Sequence, residues 1–106
     1  MTMIREFDQE IGARLREARE AVGLSQKDLA KSMRADARWS QATVWSIESG
    51  ERPLRLSEAR LVASILECDV AYLAGLDGQP PADGLGIAIR VLEEHRGKVS
   101  TNKERA

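Results

Sequence analysis

The chain has 106 residues, 42% of them hydrophobic and 31% charged, which suits one soluble domain with a modest core and is too apolar for a disordered chain. It holds one cysteine, Cys68, and one histidine, His95, so an intrachain disulfide and a thiolate zinc site are excluded, and no run approaches the ~20 apolar residues of a membrane span. The net charge of −1 does not announce a nucleic-acid partner, but residues 25–56 carry Lys27, Lys31, Arg34, Arg38, Arg52 and Arg55 against only Asp28, Asp36, Glu48 and Glu51, and form the only net-positive third.

The N-terminus carries charges where a signal peptide would need an apolar stretch, so a soluble cytoplasmic protein with no membrane association is expected. Phe7, Ile11, Leu15, Ala18 and Val22 recur at helical spacing with Arg and Glu opposite, which predicts a first helix over about residues 6–22 with Gly23 as its left-handed cap. Three further starts share one signature, a serine preceded by an apolar residue that can pack on another five positions later. They are Leu24-Ser25 with Leu29, Trp39-Ser40 with Val44, and Leu56-Ser57 with Leu61, and Asp28 adds a capping box to the first. A fifth, short helix follows, capped by Asp69, with Val70 and Leu73 inward and Gly75 as its stop.

Beyond it, residues 76–84 hold paired prolines and the glycines Gly78 and Gly84, which cannot continue a helix, and read as a linker. Leu85, Ala88, Ile89 and Leu92 then predict a C-terminal amphipathic helix over 85–97, and 98–106 a disordered tail. The expected architecture is thus all-α: a five-helix domain over 1–75, a linker, and one more helix.

Catalysis finds little support. No triad, paired-histidine metal site or phosphate-cradling glycine loop is present, Cys68 closes an apolar stripe with Leu61 and Ile65, and His95 sits among charges. A non-enzyme without metal or cofactor is expected. The centre is more informative. In the segment 41–49, Val44 and Ile47 share one side, whereas Gln41, Ala42, Trp45, Ser46 and Ser49 share the other. That outer face is almost uncharged, which suits a helix entering the major groove: amides and hydroxyls for base edges, and no carboxylate to repel phosphate.

Gly23-Leu24-Ser25-Gln26-x-x-Leu29-Ala30, followed by Ser40-Gln41-x-Thr43-Val44-x-x-Ile47-Glu48-x-Gly50-x-Arg52-x-Leu54, resembles the lambda-repressor/Cro-type (XRE) helix-turn-helix family over about residues 8–75. The resemblance implies a lambda-repressor-like fold and a transcriptional regulator, a repressor of the phage immunity or lysogeny kind, that binds a double-stranded DNA operator as a homodimer. It implies base reading by Gln41, with Ala42, Ser46 and Trp45 completing the groove-facing surface. It implies phosphate contacts from Gln26, Thr43, Arg52 and Arg55, and a structural pair between Arg19 and Glu48. For Trp45, the sugar-phosphate wall, a thymine methyl, a partner subunit and a place over Arg38 remain open.

The chain departs from the family between Met33 and Ser40, where Arg34-Ala35-Asp36-Ala37-Arg38-Trp39 is about four residues longer than the usual turn. Arg38, with Arg34, is either a further phosphate contact or part of a solvated loop. Two other functions fit the same fold: an antitoxin whose segment 76–106 binds a toxin protein, and a protein-interaction module without DNA binding. The helix at 85–97 either pairs two subunits or folds back on its own domain.

Overall fold

The computed structural model describes residues 2–81; the expected C-terminal helix and tail lie outside the described residues. Among those described there are five helices and no strand: α1 (Thr2–Ala21), α2 (Gln26–Met33), α3 (Gln41–Glu48), α4 (Leu56–Leu66) and α5 (Val70–Leu73). The all-α, five-helix expectation is met.

Local chemistry sets most of the boundaries. The Ser25 hydroxyl accepts the Asp28 amide at 3.0 Å, and the Asp28 carboxylate accepts the Ser25 amide at 3.2 Å. Ser40 and Thr43 repeat the reciprocal arrangement at 3.3 and 3.2 Å at the start of α3. Each pair satisfies two amides that the first helical turn leaves without partners. Gly23 stands at φ 78° and Gly75 at φ 85° beyond the ends of α1 and α5, the left-handed conformation that lets a chain turn out of a helix.

Leu15, Ala18, Val22, Leu29, Met33, Val44, Ile47, Val62, Leu66 and Leu73 are buried in one core drawn from all five helices. Helices α1 and α3 approach closely at Gly12. A Cβ there would fall 2.8 Å from the Glu48 carbonyl oxygen and closer still to that of Ile47. A glycine that weakens an isolated helix is what allows α3 to lie against α1.

Three expectations are corrected. Helix α1 starts at Thr2 rather than near residue 6, and Phe7, placed on its inward face, is 55% exposed. Its stripe continues past the part of α1 that the rest of the core covers. Ser57 does not cap α4. The helix begins at Leu56, with Arg55 in the capping position and the Glu58 carboxylate accepting the Arg55 amide at 3.0 Å, and Leu56 is exposed rather than stapled. Asp69 occupies the cap position of α5, yet its carboxylate accepts the Gln79 amide at 2.9 Å while its own amide donates to the Gln79 carbonyl at 3.0 Å. The first residues of the expected linker therefore lie along α5.

Candidate nucleic-acid interface

The outer face of α3 is formed as its period requires. Val44 and Ile47 are buried, Gln41, Ala42, Trp45 and Ser49 are exposed, and Thr43 and Ser46 are half-buried. Gly50 at φ 84° ends the helix, and the amides of Glu51 and Arg52 fold back onto the Ser46 carbonyl at 2.9 and 3.1 Å. This return brings the following loop beside α3 instead of letting it run on.

The one carboxylate of α3, Glu48, is turned away from that face. Arg19 of α1 donates to it twice, from Nε at 2.6 Å and from Nη2 at 3.1 Å, and a third nitrogen, Nη1, donates to the Leu24 carbonyl at 2.8 Å. The side chains are only 9% and 5% exposed. The forked guanidinium thus fixes three elements together: α1, α3 and the turn into α2. Gln26 extends the network. Its amide nitrogen donates to Glu48 at 3.1 Å, and its amide oxygen faces Gln41 at 3.5 Å, the limit of a hydrogen bond. The side chain at the head of α2 is thereby oriented against the side chain at the head of α3. A cleft of about 220 Å³ lined by Arg16, Gln26, Trp45 and Ser49 opens over this network.

A second network stands on the other side of α3. The long connection between α2 and α3 begins as tight turns, with the Asp36 and Ala37 amides donating to the Met33 carbonyl at 3.2 and 2.8 Å. Arg38 then takes a positive φ of 20°, an unfavourable conformation for a non-glycine residue, and Trp39 enters the core at 3% exposure. Its indole nitrogen donates to Glu58 at 3.2 Å. Arg52 donates to both Glu58 oxygens at 3.0 and 2.9 Å and to the Pro53 carbonyl at 3.0 Å, and stacks over the Trp39 ring at 5.9 Å. With the Arg55 amide, Glu58 accepts from three residues. These donors, Arg52 foremost, hold its carboxyl down at about 2, although partial burial opposes them.

Glu58 was not singled out by sequence reasoning. Its one legible signal is its place three residues after Arg55, as in a capping box. Arg52, expected on phosphate, has its guanidinium occupied by this network, whereas Arg38, Arg55 and Arg34 are exposed. Arg38, Thr43, Arg55 and Ser57 line a cleft of about 330 Å³ with Arg52 and Trp39 in its wall. Thr43 contributes its hydroxyl to the α3 cap and borders this cleft. Cys68 is half-buried against the core, and burial pushes its thiol up to about 11, so it stays protonated and unreactive near neutral pH.

A short capped helix, a second helix with an exposed amide-rich face, and flanking arginine clefts are the parts of a DNA-reading domain. A helix-turn-helix domain profile matches residues 10–76. The chain belongs to the helix-turn-helix domain family. Among solved structures, the crystal structure of the DNA-binding domain of BldD is similar, with 28% identity and a TM-score of 0.56, covering 64% of this chain and 93% of that one. A search of curated proteins returned no match. The helix-turn-helix protein is XRE-like and a DNA-binding regulator, and domains of this family are typically non-enzymatic. Among the described residues no helix is long and apolar enough to cross a membrane.

Proposed function

We propose that this helix-turn-helix protein is a sequence-specific transcriptional repressor of the cytoplasm, which lays α3 in the major groove of a double-stranded operator and binds inverted half-sites as a homodimer. The observation that carries the reading is the outer face of α3, where Gln41, Ala42 and Trp45 are exposed and the single carboxylate is locked inward by Arg19. A surface without negative charge, with an amide already oriented by Gln26, can enter the groove without phosphate repulsion and without first ordering its reading group.

Gln41 reads a base edge, adenine being the natural bidentate partner of an amide. Ala42, Trp45 and Ser46 complete the contact. Gln26 meets a phosphate at the head of α2, where free helix amides add their donors. On the opposite flank Arg38, Arg55 and Thr43 border the second cleft and take the neighbouring phosphates, while Arg52 holds that cleft open from behind through Glu58. Repression needs only occupancy of a site that polymerase must use. Two such domains, one helical turn apart (about 34 Å), supply the contact area that one lacks.

The test is binding of the purified full chain to its own upstream DNA and to scrambled DNA across a salt series, read by fluorescence anisotropy. Selective binding is expected, with Gln41→Ala losing about 1–3 kcal/mol of discrimination at one base position. Arg38→Ala and Arg55→Ala are each expected to weaken specific and scrambled DNA alike and to flatten the salt slope by about 0.9. Equal affinity for both DNAs in the wild type, or a slope unmoved in both arginine variants, would remove the assignment.

A further inference from the structure

Away from the α3 face lies a groove of about 120 Å³ whose lining is predominantly apolar, formed by Ile11, Leu54, Leu56, Ala59, Val70 and Leu73. It lies where α1, α4 and α5 meet. Leu56 at its edge is 72% exposed, and Phe7, one helical turn before Ile11 on α1, is 55% exposed, so an apolar stripe leads out of the groove along α1. Exposed aliphatic and aromatic groups gathered around a concave apolar site mark a surface that something covers.

We infer that this groove receives the chain's own segment Leu85–Leu92, docked as an amphipathic helix within the same molecule. The argument is one of tether and pattern. The Asp69 amide and carboxylate both bond to the Gln79 backbone, at 3.0 and 2.9 Å, which pins the departing chain beside α5, and the residue after Asp69 is Val70, a wall of the groove. From Pro81 to Leu85 the chain spans at most about 14 Å. That bound keeps Leu85 near the chain anchored beside α5, whose Val70 lines the groove. Leu85, Ala88, Ile89 and Leu92 fall at the i, i+3, i+4 and i+7 positions with which a helix fills such a groove. A short tether also gives the segment a high effective concentration at its own groove relative to that of a second copy. The groove shares no lining residue with α3 or with either polar cleft, so the inference stands apart from the DNA-binding assignment.

The experiment uses the full chain with methyl-labelled Ile, Leu and Val, mixed with unlabelled chain so that contacts within and between molecules are separated. The expected result is intramolecular nuclear Overhauser contacts from the Ile89 and Leu92 methyls to those of Leu54, Val70 or Leu73, unchanged on dilution. Ile89→Asp with Leu92→Asp is then expected to shift the groove methyl resonances while the buried Val44 and Ile47 signals stay in place. Contacts seen only between molecules would overturn the inference in favour of a second copy. Absence of contacts, with groove resonances unmoved in the double variant, would overturn it outright.

Discussion

Two ion pairs flank α3, one on each side, and they are not built alike. Arg19–Glu48 joins α1 to α3 with side chains 9% and 5% exposed. Arg52–Glu58 joins the loop after α3 to the head of α4 with side chains 35% and 10% exposed. In the first, both partners are desolvated, Arg19 donates a further hydrogen bond to the Leu24 carbonyl, and Glu48 accepts another from Gln26. In the second, the carboxylate is sheltered while the guanidinium still meets solvent across the face of Trp39. The comparison separates a pair that holds the helix on its scaffold from a pair that holds a loop in shape. A buried pair is strongly destabilising to break, because the survivor is left charged and dry, whereas a half-exposed arginine can recover water.

That contrast can be broken by substitution. The largest effect is expected from Glu48→Ala, which leaves Arg19 buried without its carboxylate and should lower unfolding free energy by about 3–5 kcal/mol in urea denaturation. A loss no larger than that of Glu58→Gln would overturn the contrast. Glu58→Gln is expected to cost about 1–3 kcal/mol, since the amide still accepts from Trp39 but loses the charge that Arg52 faces.

The same residue sharpens the comparison by pH. Its carboxyl is held at about 2 against an ordinary 4.5, so the folded state favours the ionised form. The stabilisation is complete above about 4.5 and is lost as pH falls from there through about 2. Glu58→Gln should therefore flatten the acid limb of a melting-temperature profile in that window. The smallest effect is expected from Trp39→Phe, which keeps most of the apolar volume and removes one hydrogen bond to a charged group, about 1–2 kcal/mol by the same denaturation assay.

The two pairs also differ in how far they could be read in advance. Arg19 and Glu48 sit at positions that the family resemblance marks, so their meeting is expected from the sequence. Glu58 sits in a helix start that reads as though Ser57 were its cap. Only when the chain after Gly50 folds back on Ser46 does Arg52 come to Glu58, and Trp39 to both. Arg52, expected on phosphate, is instead bonded to Glu58 in the wall of the cleft. Phe7 failed for the opposite reason: helical spacing gives the direction of a side chain but not the length over which a neighbour covers it.

The sequence by itself determined the five helices, the serine caps of α2 and α3, the glycine stops and the uncharged outer face of α3, because these depend on contacts within a few residues and on a repeat of 3.6. Tertiary structure alone decided the approach of α1 to α3 at Gly12, the anchoring of the long α2–α3 connection through Trp39 and Glu58, and which arginines remain available on the surface. The first two rest on groups 19 to 36 residues apart in the chain, as Trp39 is from Glu58 and Gly12 from Glu48. No local pattern records that distance; it is set only when the core closes.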